Sequence, residues 1–581
     1  MNTSVLPISQ NRDVVTFRIE VNGEPLPQTH PVFYIEITHE VNRIPTACIG
    51  FADGDASLGE WPLSNEEFFI PGNEIKIFAG YQSEDEELFS GIVIGQALRV
   101  RDRHLELQIT CKDKAVKMTT TKKSRHFAEM TDSDAAAEIL GEYAIADHLT
   151  TTNTEHVDLV QYDSTDWDFI IMRMEANGLV CIADADGFHT IAPSIDEDPV
   201  AMLRFGTSVL EFDADIDARR QFGAVTVKAW DQASQDSGVG ESVEPQWKTV
   251  GDLAPADLAE AVGAAAQAYR HGGVLSADEL QSWSDASLLR SRMAFVRGRA
   301  RVFGFAALKP ASVIELAGFG DRFNGPVWVS AVRHEINHGN WISDVELGMS
   351  EEWHMQRLYN NSNEAQNIVP SVRGLHTGIV TALEGDPAGE VRIKVKIPSI
   401  DTEGDGQWAR IATLDAGASR GTFFLPEIDD EVIIGFLGDD PRHPVILGML
   451  HSSAHTPPED AKDDNHIKGY FSRTGMRIRF DDEKTIMTID TPGGHVIVLD
   501  DDAGEIIMTD SSSNKITMSS SGINLESASD LVLKAKGGIK IEGGANIEMK
   551  ATAQWKAEGS AGLEINSSAV TVVKGSLVQI N

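Results

Sequence analysis

The sequence predicts a mainly β, multidomain protein that ends in a triangular β-helix built by three chains. Three observations carry this: an apolar repeat of eight residues from Ile523 onward, about five strand patterns in the roughly 80 residues from Leu375 to Ser452, and longer strand-and-turn patterns towards the N-terminus.

Ile523, Leu531, Ile539, Ile547, Trp555 and Leu563 share one phase of the octad, and Leu525, Leu533, Ile541, Met549, Ala557 and Ile565 follow two residues behind each. After one seven-residue step the pattern resumes at Val570 with Val572 and Val578 with Ile580. Residues at i and i+2 share one face of a strand, so each octad supplies a short strand with an inward stripe and a polar corner. Gly522, Gly537, Gly538, Gly543, Gly544 and Gly562 sit at or near those corners. A stack of short strands with open edges aggregates unless the edges are paired. Three identical chains wound together pair every strand and bury the stripes on one axis. The expected needle core is Ile523, Leu525, Leu531, Leu533, Ile539, Ile541, Ile547, Met549, Leu563 and Ile565. About 11 strands at roughly 4.8 Å give a shaft on the order of 50 Å. A single-chain solenoid is the alternative use of such a repeat. Weaker stripes, Ile506 with Met508 and Ile516 with Met518, extend the needle back towards Ile486.

Composition narrows the rest. A chain of 581 residues with 41% hydrophobic and 24% charged residues holds several globular cores. No apolar run reaches the roughly 20 residues that cross a bilayer, and Met1 to Asp13 lacks a basic region and an apolar core. The expectation is a protein made in the bacterial cytoplasm without a signal peptide. Cys48, Cys111 and Cys181 are odd in number and lack metal spacing, so they read as reduced residues. The net charge of −40 argues against nucleic acid and anionic lipid, which need Lys and Arg.

His455 to His466, with Pro457 and Pro458, reads as a linker. Before it, Val391, Ile393, Val395 and Ile397 alternate with Arg392, Lys394 and Lys396, and Val432–Phe436 and Val445–Leu450 are later apolar runs. These predict a small OB-type barrel, in which Trp408, Phe423, Phe424 and Phe436 read as core residues and not as platforms for bases. The predicted organisation is an N-terminal domain over 1–370 with a helical insertion at about 252–302, an OB domain over 371–452, a linker and needle entry over 453–484, and the needle over 485–581. Inside the insertion, Ala256 to Tyr269 is Ala-rich, and Ser276 with Glu279 forms a capping box.

Phe423-Phe424-Leu425-Pro426-Glu427-Ile428-Asp429-Asp430-Glu431-Val432-Ile433-Ile434-Gly435-Phe436, then Gly438-Asp439-Asp440-Pro441 and Pro444-Val445-Ile446-Leu447-Gly448, resembles the OB signature of VgrG-type spike proteins, the central spikes of contractile injection machines. That family usually has Gly where Asp429 stands; Asp tolerates the left-handed backbone such a Gly adopts. Gln161-Tyr162, Asp166-Trp167-Asp168-Phe169-Ile170 and Arg173 to Leu179 are similar to the family's hub segment of helix, Gly turn and strand. Gly72 to Phe78 and Leu88 to Val93 resemble the hub's early strands.

His334-Glu335-Ile336-Asn337-His338 matches the H-E-x-x-H pattern of zinc peptidases. That chemistry needs a helix, so that both His grip the metal while Glu reaches its water. The flanks predict a strand: Val327, Val329 and Ala331 alternate with Trp328, Ser330 and Val332, and Gly339-Asn340 turns the chain into Trp341 to Leu347. In a strand Glu335 points away from His334 and His338. No catalytic, cofactor or metal site is therefore expected. Neither the interval after the barrel nor the stretch beyond Ile580 has the length of an effector domain.

The resemblance implies a homotrimer whose phage-hub-like domains adapt a hexameric inner tube and baseplate proteins to a three-fold needle. The needle would touch a target membrane only transiently, as the particle punctures an envelope. It implies a small PAAR-type tip protein on Val578, Gln579, Ile580 and Asn581. An extracellular injection particle, released on action, is favoured over a type VI secretion apparatus. A zinc peptidase at His334–His338 and a trimeric receptor-binding tail fibre or adhesin are the competing classes.

Overall fold

A computed structural model describes residues 14–101, 104–246, 248, 250–264, 266–359 and 368–580. Strands hold 41% of the chain and helices 12%, the mainly β class the sequence predicts. The chain divides into two compact units, Met1–His455 and Thr456–Asn581.

The first unit is built on a 13-stranded sheet. Its path runs from Val209–Ile216 through Val296–Phe303, Asn340–Leu347, Gly325–Asn337, Val32–Glu40, Thr46–Ala52, His104–Lys112 and Glu84–Arg101 to Glu74–Tyr81 and Val15–Val21. The strands Glu74–Tyr81 and Glu84–Arg101 are the early hub strands the sequence announces. Their inward residues, among them Ile75, Ile77, Phe89 and Val93, pack with Ile35, Ile37, Ile49 and Phe51 in one core. A second core gathers Trp328, Val329, Val332, Val345 and Leu347 with Ala300 and Val302.

The predicted helix, turn and strand of the hub segment are present. Helix Asp166–Ala176 starts at Thr165, whose hydroxyl accepts the Asp168 N–H at 3.1 Å. Gly178 turns the chain at φ +72°, and strand Val180–Asp184 follows. The insertion differs from its prediction. Only Pro255–Ala261 of the Ala-rich stretch is helical; Gln267–His271 is a strand beside Val225–Asp231, because Ala229 and Tyr269 are needed against Trp283. The capping box is confirmed: Ser276 and Glu279 open helix Ala277–Met293, which packs on that small sheet.

Five strands close a barrel: His376–Ala382, Ile393–Lys396, Gln407–Ile411, Pro444–Met449 and Glu431–Phe436. Val380, Ile393, Val395, Ala409, Val432, Ile434 and Ile446 fill it, joined by Val160 from hub strand Glu155–Thr165. Burying each of these side chains contributes about 1.5–3 kcal/mol, so the hub helps to complete the barrel core. Asp429 takes φ +73°, the left-handed backbone expected there. Two expectations fail. Val391 precedes the strand at φ +59° and is exposed, and Phe423 and Phe424 lie outside any strand on the surface.

The second unit is a seven-stranded antiparallel meander from Ile467–Phe471 to Gly522–Glu526. It begins earlier than the predicted needle start at 485. Among the described residues beyond Glu526, the octads form no strand within the single chain. A strand of five residues needs a neighbour to hold its backbone bonds, and one chain supplies none there.

Candidate functional site

The H-E-x-x-H segment lies on a hairpin, as its flanks predict. His334 sits in strand Gly325–Asn337, paired across from Ser343, and His338 with Gly339 forms the two-residue turn at φ +49° and +77°. The turn is one residue earlier than Gly339-Asn340 because Asn337 pairs with Asn340. Residues 327–332 are buried on both faces and show no inside-outside alternation. His334 is buried, Glu335 faces the other side of the strand and His338 is exposed. Trp341 Nε1–H donates to His334 Nδ1 at 3.3 Å, and Ser343 Oγ lies 2.8 Å from the same atom. Nδ1 is therefore an acceptor, and burial pushes the imidazole pKa down to about 3. The three residues do not converge on a zinc ion.

A buried charge network joins hub and barrel instead. Asp132 opens helix Asp132–Glu142 and holds Arg173 through two bonds, Nε to Oδ1 at 2.6 Å and Nη2 to Oδ2 at 3.0 Å. His156 Nε2 lies 3.2 Å from Asp132 Oδ2, and its Nδ1 lies 3.5 Å from Glu279 Oε1. Glu279 Oε1 accepts from Arg442 Nη1 at 2.6 Å, and Arg442 grips Asp440 through Nη2 to Oδ2 at 2.9 Å. Burial alone would raise Asp132, Glu279 and Asp440, but the neighbouring guanidinium and imidazole groups outweigh it and leave all three below the usual carboxylate range. Beside Asp440 lie His271, with Nε2 3.1 Å from Oδ2, and His443, with Nε2 3.9 Å away. Sequence reasoning missed these residues. His271 and Asp440 stand far apart in the chain, and Asp440 with His443 alone is too short a pattern to signal a site.

The third feature is the predicted needle. Across the meander, two apolar ladders run from strand to strand in register. One is Phe480, Met487, Leu499, Ile506, Met518 and Ile523; the other is Ile478, Ile489, Ile497, Met508, Ile516 and Leu525. Their last rungs are the first two positions of the octad repeat. Leu499, Ile506, Met508 and Met518 are each 40% exposed, and exposure rises to 70% at Ile523. Leu525, Leu531, Leu533, Ile539, Ile541, Ile547, Met549, Leu563 and Ile565 are likewise exposed. So are Val578, Gln579 and Ile580; Asn581 lies outside the described residues. Among the described residues the octads do not close into a solenoid within one chain. An apolar stripe of this length left open to water is the mark of an interface.

Comparisons with known proteins agree with this architecture. The type VI secretion system/phage-baseplate injector OB domain family matches residues 376–451, the closed barrel and its flanks. The Pseudomonas aeruginosa type VI secretion system spike protein VgrG1a is 30% identical over 134 residues, 20% of this chain and 21% of that protein. The Vibrio cholerae spike protein VgrG3 is 35% identical over 71 residues, 12% of this chain and 7% of that protein. The chain thus spans about one fifth of the length of the Pseudomonas relatives VgrG1a and VgrG1c. In fold, a chain of the lidded Francisella PdpA–VgrG complex aligns at a TM-score of 0.51 and 10% identity, over 88% of this chain and 80% of that one.

Hub sheet, closed barrel and meander together define the class of VgrG-like hub-and-spike proteins. The Alg8 N-terminal domain family matches residues 11–338, more than half of the sequence, and the chain belongs to that family.

Proposed function

We propose that three copies of this chain form the central spike of a contractile injection machine. The observation that carries the reading is the pair of apolar ladders in the meander, which run without a break into the octad stripe and stay uncovered in one chain. Three chains around one axis cover both, with the octads forming a triangular shaft that bears compression. The hub sheet is the part that meets the inner tube and baseplate proteins. The shaft end at Val578, Gln579, Ile580 and Asn581 takes a PAAR-type tip protein, which satisfies its open strand edges. Type VI spike relatives and the PdpA–VgrG likeness support the spike class. The curated spike relatives are type VI proteins, and within the spike class we favour an extracellular particle.

The reading makes the chain a structural part and not an enzyme, assembled in the bacterial cytoplasm. It is tested in a producing cell in which the chain carries Ile539→Asp with Ile547→Asp. The proposal expects no complete baseplates by electron microscopy of the particle fraction. Normal particles containing the variant would overturn it.

A further inference from the structure

The junction of hub and barrel holds a set of groups that the spike reading does not use. Asp132, Glu279 and Asp440 supply three negative charges, and Arg173 and Arg442 supply two positive ones, all in mutual contact. His156 bridges Asp132 and Glu279 within the same network. At the same spot, His271 Nε2, His443 Nε2 and a carboxylate oxygen of Asp440 lie within 4.8 Å of one another. Both Nε2 atoms are buried; that of His443 lacks a hydrogen-bond partner, and that of His271 stands 3.1 Å from Asp440 Oδ2 without hydrogen-bond geometry.

We propose that His271, Asp440 and His443 bind a divalent transition metal of the zinc type, which staples the hub to the barrel. Ligands about 2.0–2.1 Å from a tetrahedral zinc stand roughly 3.3 Å apart, close to the 3.1 Å and 3.9 Å from the two imidazoles to Asp440. His271 Nδ1 lies 3.1 Å from both the carbonyl oxygen and the amide nitrogen of Gly273, and a metal at Nε2 selects the tautomer that donates to the carbonyl. Donation there leaves Nε2 with a free lone pair, the usual second contact of a metal-bound imidazole. Asp440 Oδ2 accepts from Arg442 Nη2 at 2.9 Å and, less closely, from Nε at 3.2 Å; an ion on Oδ2 replaces the longer contact, since Nε also reaches Oδ1 at 3.1 Å. Close packing makes room for the group: the backbone of Gly272 meets that of Gly438, and a methyl group on Gly273 would overlap the His443 ring. Of the three ligands, His443 also lines a cleft shared with His156, Glu279 and Arg442.

The test uses the full chain, stripped with a chelator and titrated with Co²⁺ as the probe. The expected result is about one Co²⁺ per chain with tetrahedral d–d absorption, and affinity at least about ten-fold weaker in His443→Ala and in His271→Ala. His443 lies at the cleft edge, 19% exposed, so its variant reads the site should His271→Ala misfold. Binding in His334→Ala should be unchanged. Absence of the cobalt spectrum, binding that survives both ligand variants, or loss on His334→Ala would each overturn the proposal.

Discussion

Arg442, on the loop that enters the last barrel strand, places Nη1 2.6 Å from Oε1 of Glu279, in the first turn of the hub helix Ala277–Met293. The other oxygen of the same carboxylate lies 3.4 Å from the Ser276 N–H and closes the capping box. One side chain thus starts a helix and ties two domains together. Arg442→Met leaves Glu279 and Asp440 without their shared cation, and removing one partner of a buried pair costs about 3–5 kcal/mol. The first transition of urea unfolding should move to lower denaturant by that amount. Ser276→Ala, which removes only the cap, should cost about 1 kcal/mol.

His334 makes the hub sensitive to acid. Its folded pKa of about 3 lies below the ordinary 6.5, so its contribution to stability is full above pH 6.5 and is lost as pH falls through 3. The unfolded chain takes up the proton first. Asp113 acts in the opposite sense: burial raises its pKa to about 6, so it favours folding as pH drops from 6 towards its ordinary 3.8. Comparing His334→Gln with the parent isolates the histidine. The variant's melting temperature should fall less between pH 7 and pH 4.5; parallel curves would show that another group sets the acid response.

Asp429 offers a backbone test at φ +73°. Its N–H keeps a bond to the Val380 carbonyl at 2.9 Å, so the turn is fixed by the barrel and not by the side chain. Asp429→Gly should leave stability within about 0.5 kcal/mol, and Asp429→Val should cost about 1–2 kcal/mol, because a branched side chain resists the left-handed region. Thermal unfolding of the two variants reads the difference.

Single changes in the stripe should act on assembly and spare the first unit. Ile547 is 54% exposed in one chain, so Ile547→Asp costs a monomer almost nothing. In a three-chain shaft it places three carboxylates around one axis, where like charges repel strongly. Cross-linking of the purified variant should give mostly single chains while near-ultraviolet dichroism of the hub stays unchanged.

Much of this was legible before the structure. The octad repeat is plain in the sequence, but among the described residues only its first two positions, Ile523 and Leu525, lie in a strand. The hub helix after Thr165, the Ser276–Glu279 cap and the left-handed Asp429 rest on local chemistry, which a sequence shows directly. Strand Gln267–His271 was missed because Ala-rich composition favours helix, while its pairing with Val225–Asp231 is a tertiary demand. Phe423 and Phe424 misled for the converse reason: apolar residues read as core, although they lie on the surface. The junction of His271, Asp440 and His443 depends on the hub meeting the barrel, and no local pattern records that meeting.

The central claim is that the uncovered ladders and octads belong to a three-chain shaft. Light scattering of the purified full chain tests it most directly, with a chain cut after His455 as the comparison. The account predicts a full-chain mass of about 190 kDa, three times the 63.2 kDa of one chain, and a weaker or lost trimer in the cut form. A stable monomer of 63.2 kDa would contradict it.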